Sequence, residues 1–325
     1  MRAMAIDSNG NLELRDLPTP EPGPGQARVR VRAAGVNRAD LLQRRGMHPA
    51  PADAPRDVPG LEIAGEIDAL GAGVSGARVG GRVYGLVSGG GYAESIVVPA
   101  RTLAPIPERL DFVQAAAIPE AFLTAYDAMV LQGGLAAGES VLVHAVGSGV
   151  GTAAVQIARA VGATAIGTAR AEEKLGRAAT LGLDAGVVVE GGAPRFADRV
   201  RQANYGRGVD VVLELVGGAY VPESLAALDD LGRLVLVGLL AGARAEIDLA
   251  EVLRRRLRVY GTVMRARPLE EKIAMAQVLA RNLSPLVASG RLAPIVDRVL
   301  PLERAAEAHD VLASNVTFGK IVLTT

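Results

Sequence analysis

The chain contains no cysteine and no tryptophan, and its aromatic residues are four phenylalanines and six tyrosines. The missing cysteine excludes disulfides and thiolate metal sites, and it suits a reducing compartment, so a cytoplasmic location is expected. So few aromatics leave little to stack unpaired bases on. Charge of one sign is lacking too, because 35 basic residues balance 35 acidic ones and no basic stripe is visible. Nucleic acid is therefore not an expected partner. No apolar run approaches a membrane span, since Gly, Arg, Asp or Pro interrupts each, so no membrane partner is expected either. The opening MRAMAI is strand-like rather than a basic, cleavable leader, and no export signal is expected. What the chain does have is hydrophobic residues at half its 325 positions. That length predicts two cores rather than one.

The most informative stretch is ESVLVHAVGSGVGTAAVQIARAVGA, from Glu139 to Ala163. Val141 to Ala145 is short, apolar and β-branched, as a strand buried on both faces should be. Val150, Ala154, Ile157, Ala158 and Val161 then recur at helical spacing, and Gly162 is placed to cap the helix C-terminus. Between strand and helix lie Gly147, Ser148, Gly149, Val150 and Gly151. Glycines there let the backbone turn tightly and approach a pyrophosphate, whose charge would sit on the helix N-terminus. A glycine triplet alone is equally a tight turn; the flanking strand and helix favour a dinucleotide cradle.

From Ser140 to about Tyr260 strand patterns alternate with helical ones. The strands are expected at Val141 to Ala145, Thr164 to Thr168, Ala185 to Val189, Val209 to Leu215, Arg233 to Val237 and Arg258 to Tyr260. Helices are expected at Glu172 to Leu181 and Pro222 to Leu228. Such alternation predicts a doubly wound parallel sheet. Before it, short strands (Ala3 to Ile6, Leu12 to Leu14, Ala27 to Ala33, Glu62 to Leu70, Arg82 to Val87) with glycine and proline turns predict a partly open β-barrel. Asn37 to Arg44 reads as a helix with Asn37 as N-cap. Leu110 to Gln132 is helical with an interruption at Pro119. Pro268 to Ser289 reads as one helix, and Lys320 to Leu323 as a closing strand.

The order of barrel, parallel unit and return segment resembles the medium-chain dehydrogenase/reductase superfamily over essentially the whole chain. GVNRADLLQRRG, AAAIPEAFLTAYDAM, HAVGSGVGTAAVQIA, GTARAEEKL and FGKIVL resemble its zinc-independent quinone oxidoreductases. The resemblance implies an α/β fold, with a GroES-like barrel over 1–122 and 264–325 and a Rossmann domain over 123–263. It implies a reductase acting on a quinone or enone, and commonly a homodimer or homotetramer, for which Val235 to Gly238 and Arg258 to Val263 offer an edge. Zinc-dependent members carry Gly-His-Glu where this chain reads Gly60-Leu61-Glu62, and they need a Cys ligand that is absent here. An enoyl reductase of the same fold, and a cofactor-binding regulatory or RNA-binding module, are the competing readings.

Site residues follow in part from the pattern and in part from the resemblance. An NAD enzyme places a carboxylate after its second strand to bind the ribose. This chain follows Thr168 with Ala169 and Arg170, and has Lys174 a turn later, which would accept a 2′-phosphate, so NADPH is the expected cofactor. Alternatively Arg170 and Lys174 pair with Glu172 and Glu173 on a solvated surface. Gly217 and Gly238 follow strands at the expected cleft. Replacing Gly149 or Gly151 by Val should weaken cofactor binding far more than folding. The resemblance places Asn37 near the nicotinamide, or leaves it as a helix cap. It brings Thr124 to the nicotinamide amide, or leaves it bonded to its own helical turn. It brings the Met264 backbone to the nicotinamide and Lys320 toward phosphate. His48 stands where relatives carry a pocket Tyr, as a substrate-pocket residue or a solvated loop residue.

Overall fold

The computed structural model describes residues 1–190 and 194–325. The chain forms two compact units, Met1–Leu123 with Met264–Thr325, and Thr124–Val263.

In the second unit six parallel strands make one sheet: Ser140–Val143, Thr164–Ala169, Ala185–Val188, Val209–Glu214, Leu228–Leu236 and Arg258–Gly261. Their spatial order is third, second, first, fourth, fifth, sixth. This is the doubly wound order whose reversal, between the first and fourth strands, opens a crevice at the strand C-termini. The first strand is buried at every position, which explains its unbroken apolar run. Leu142, Ile166, Val212 and Leu234 join Phe196, Val200 and Leu225 from the covering helices in one core. Each such side chain contributes about 1.5–3 kcal/mol on burial. Helices Ala197–Ala203 and Leu249–Arg254 are additions to the sequence expectation, because both are shorter than the window of about 11–18 residues in which a helical period is legible. The fifth strand begins earlier than expected, at Leu228, with a register shift against its neighbour.

In the first unit the 11-residue strand Gln26–Val36 organises the sheet. Val29 and Val31 face the core while Arg30 and Arg32 face water, so the Val/Arg alternation in sequence is the two faces of the strand. One edge pairs with Glu62–Leu70. The other pairs with Ser95–Pro99 over its first half and with Lys320–Thr324 over its last residues. The helix expected from Pro268 to Ser289 runs without interruption from Leu269 to Ala288, widening over Leu279–Leu283. Pro285 accounts for the widening, since it has no N–H for the preceding turn. The strand Val296–Pro301 and helix Ala305–Ala313 complete this unit.

Candidate functional site

The glycine turn of the second unit is built as a cradle. Helix Gly149–Val161 starts at Ser148, whose Oγ accepts the Gly151 N–H at 3.0 Å. Such a cap is worth about 1 kcal/mol and leaves other first-turn N–H groups free for an anion. Gly162 ends the helix at φ 88°. Gly151 has a different job from the one expected of it. A Cβ there would press on the Ala145 carbonyl and lie 2.7 Å from Val146 Cα, so the glycine lets the helix pack on the first strand. Gly151→Val is therefore expected to perturb folding, whereas the sequence alone predicts an effect mainly on cofactor binding.

Beneath the cradle lies a polar cluster that sequence reasoning missed. Glu214 Oε1 accepts the N–H groups of Val216 and Gly217 at 2.8 and 2.9 Å, and its Oε2 accepts the Ser224 hydroxyl at 2.6 Å. His144 bridges Ser224 Oγ at 2.9 Å and Thr168 Oγ1 at 2.8 Å. Burial lowers the His144 pKa, which keeps the ring neutral. Ser224, His144 and Glu214 have the residue types of a hydrolytic triad, yet all three are fully buried. They act as a brace. Glu214 holds the turn at Gly217, which adopts φ 71°, and Gly238 packs on the Leu215 carbonyl. The Thr168 hydroxyl belongs to this brace.

At the end of the second strand, buried Ala169 is followed by exposed Arg170. The Glu173 carboxylate faces Arg177 at 3.9 Å rather than Arg170. Lys174 is half-buried in the first turn of helix Glu172–Ala179. Val189, at the end of the third strand, packs into the core. Thr124 is 5% exposed, and its Oγ1 has no hydrogen-bond partner among the described residues. It does not bond back to its own turn. A buried hydroxyl without a partner costs free energy unless a ligand meets it.

The first unit holds a second polar centre. Lys320 Nζ donates to Val36 O at 2.8 Å and Asn37 Oδ1 at 2.5 Å, and pairs with Glu62 Oε1 at 2.6 Å. Those contacts use all three ammonium donors. Lys320 was expected to approach phosphate; its charge instead balances Glu62 within this unit. Asn37 caps helix Arg38–Arg44, and its Nδ2 donates to Glu62 Oε1 at 3.0 Å. The amide expected near the nicotinamide is thus engaged by internal partners at both ends. The Asp40 carboxylate accepts from Asn37 N, Tyr92 Oη and Gly60 N. Its burial pushes the pKa up to about 6, against those donors and Lys320. Tyr92 also meets His309 Nε2 at 3.2 Å.

Arg265 is buried and donates to Ser88 O, His48 O and Gln43 Oε1. His48 thus meets Arg265 through its backbone carbonyl, and its half-buried ring has its pKa lowered by burial and by the guanidinium. Buried Met264 lies beside it and, with Leu61, Leu86, Val87, Met275 and Glu120, walls a small cavity. The Glu120 carboxyl has its pKa raised to about 8, first by burial and then by Glu62, with Lys320 and Arg265 opposing. No sequence pattern marked Glu120.

Comparison with known proteins agrees with this architecture. Residues 23–108 match the alcohol dehydrogenase GroES-like domain and residues 149–281 match the zinc-binding dehydrogenase domain. A quinone oxidoreductase of Sus scrofa is 34% identical over 90% of this chain and 86% of its own. The human quinone oxidoreductase is 33% identical over the same shares. The chain belongs to the quinone oxidoreductase family of the medium-chain dehydrogenase/reductases. Among solved structures, a mycobacterial protein complexed with NADPH superposes with a TM-score of 0.89 at 28% identity, covering all of both chains. An NAD-dependent alcohol dehydrogenase superposes at 0.86 with 35% identity, also over both whole chains.

As a member of this family the protein is an oxidoreductase using a nicotinamide cofactor, and the partnerless Thr124 hydroxyl and glycine cradle fit one. The zinc implied by one domain description does not fit. The sequence has no cysteine, Leu61 precedes Glu62, and among the described residues no group of three His, Asp or Glu is placed to hold a metal. Instead, an ammonium from Lys320 neutralises Glu62.

Proposed function

We propose that this oxidoreductase is an NADPH-dependent, zinc-free reductase that passes hydride to a quinone or a related conjugated carbonyl. The observation that carries this reading is the Lys320–Glu62 pair at 2.6 Å beside an apolar wall of Leu61 and Met264. That donor set provides no Lewis acid. A quinone, already electron-poor, needs none, whereas a simple ketone has to be polarised by a Lewis acid or a general acid. The quinone oxidoreductase relatives point the same way.

The bound dihydronicotinamide supplies the hydride. The chain's own residues bind and orient it: the helix N-terminus at Ser148–Gly151 for the pyrophosphate, Arg170 with Lys174 for the 2′-phosphate, and the Thr124 hydroxyl for the carboxamide. Gly217 and Gly238 let the backbone close up at the strand ends, where a Cβ would meet the Gly242 and Leu215 carbonyls. Alignment of donor and acceptor in a site closed to water then supplies much of the rate. Among the described residues no helix is long and apolar enough to cross a membrane. A cytoplasmic homodimer completes the reading, supported by the absence of cysteine and by the edge strand Arg258–Gly261 with exposed Val259 and Val263 nearby.

Steady-state oxidation of NADPH and NADH against quinones and enoyl thioesters tests this. Quinone reduction with NADPH, unaffected by chelators, is expected. Faster turnover of enoyl thioesters would favour the enoyl reductase alternative, and no turnover with any acceptor would refute the reading.

A further inference from the structure

The reduction adds a hydride and a proton, and the functional reading above assigns no proton donor. Helix Pro119–Tyr126 offers one. Its second residue, Glu120, anchors through the backbone: its N–H donates to Glu62 Oε2 at 2.8 Å. Glu120 also lines a cavity of about 20 Å³, with Leu61, Leu86, Val87, Met264 and Met275 in its wall and Arg265 beside them. That volume holds one water-sized group. It matches the oxygen of an acceptor rather than its ring.

We propose that Glu120 is the proton donor of the reduction, delivering its carboxyl proton to the acceptor oxygen from the wall of this cavity. The proposal rests on the reductase reading. Its balance is simple: the electron pair arrives with the hydride, the Glu120 O–H bond breaks, and an acceptor O–H bond forms. A quinone becomes a hydroquinone, or a conjugated carbonyl becomes an enol that then ketonises. Glu120 is left as a carboxylate and takes its next proton from water.

Every charged neighbour bears on this role. Glu62 and Asp40 disfavour the Glu120 carboxylate, while Lys320 and Arg265 favour it. Arg267 and Lys272 reach the same cavity, but Arg267 faces Glu271 at 3.9 Å, and Lys272 is held by Asp53 and Ser88. The balance leaves the acid protonated up to about pH 8, near the working range of a general acid. Arg265 stands ready to stabilise the carboxylate once the proton has left. Two neighbouring groups are engaged elsewhere: Asp40 accepts three hydrogen bonds, and the Tyr92 hydroxyl donates to Asp40.

The test uses Glu120→Gln, an uncharged isostere, and Glu120→Asp. Difference infrared titration of wild type against Glu120→Gln should show one protonated carboxyl that disappears as pH passes about 8. With an enone and NADPH, Glu120→Gln should lower kcat about 100-fold and abolish the alkaline fall of the pH profile, while NADPH affinity by fluorescence stays unchanged. Glu120→Asp should restore part of the rate. An ionised Glu120 at pH 6.5, or wild-type kcat and pH profile in Glu120→Gln, would overturn the proposal. Wild-type protein that oxidises NADPH with no acceptor would overturn the reductase reading and the role within it, whatever the infrared titration shows.

Discussion

Replacing Lys320 by Met removes the cation that neutralises Glu62 while keeping most of the side chain's volume. The Glu62 side chain is 0% exposed and that of Lys320 is 6% exposed, so the remaining carboxylate has no water to turn to. Asn37 Nδ2 and the Glu120 N–H still donate to it, but neither brings charge. Breaking a buried pair from one side costs about 3–5 kcal/mol. At about 2–4 °C per kcal/mol for a domain of this size, the melting temperature should drop by about 6–20 °C. Thermal unfolding followed by circular dichroism measures it. The double variant Glu62→Gln/Lys320→Met should recover part of the loss, because no unpaired charge remains. NADPH affinity is the second readout, since a lysine gripping phosphate would be worth about 10–100-fold. A Lys320→Met protein as stable as wild type but impaired in NADPH binding would refute this placement and restore the phosphate role.

Three further outcomes follow. Gly151→Ala should destabilise the protein by about 1–3 kcal/mol in urea unfolding, because its Cβ meets backbone at Val146, and an unchanged midpoint would contradict that packing. Arg170→Ala should reduce the preference for NADPH over NADH at least about tenfold in kcat/KM, mainly through NADPH binding; equal use of both cofactors by wild type would sink the argument. The Glu120 carboxyl has its pKa raised from 4.5 to about 8, so the folded state holds a proton the unfolded chain has lost. Its contribution to stability is full below pH 4.5 and falls as pH rises to about 8, by at most about 1.4 kcal/mol per pH unit. Asp40 adds the same sign up to about pH 6. Urea midpoints at pH 6 and pH 8.5 should therefore differ less in Glu120→Gln than in wild type.

The cofactor half of the fold was legible because it is local. A buried strand, a glycine turn and a helix with Gly162 at its end lie within 25 residues, and each switch of period marks a boundary. The polar centre of the first unit was not. Lys320 meets Asn37 only because strand Lys320–Thr324 pairs antiparallel with the end of Gln26–Val36, aligning Ile321 with Val36. No spacing within FGKIVL encodes that neighbour. Glu120 likewise read as one acid in a helical run, since Glu62 and Arg265, which set its environment, come from distant segments. His144 stood alone in sequence and acquired Ser224 and Glu214 only when the first and fourth strands came side by side. Pro285 was visible in the sequence, and its missing N–H was reason to expect the widened stretch at Leu279–Leu283 within the helix predicted over Pro268 to Ser289.

The account's central claim is direct, metal-free hydride transfer from NADPH to a conjugated acceptor. NADPH deuterated at the transferring position of the nicotinamide, given with an enone to chelator-treated enzyme, tests it most directly. The account predicts one deuterium at the β-carbon of each product molecule, with one NADPH consumed per product. Label lost to solvent, or turnover that stops on chelation and returns with zinc, would contradict it.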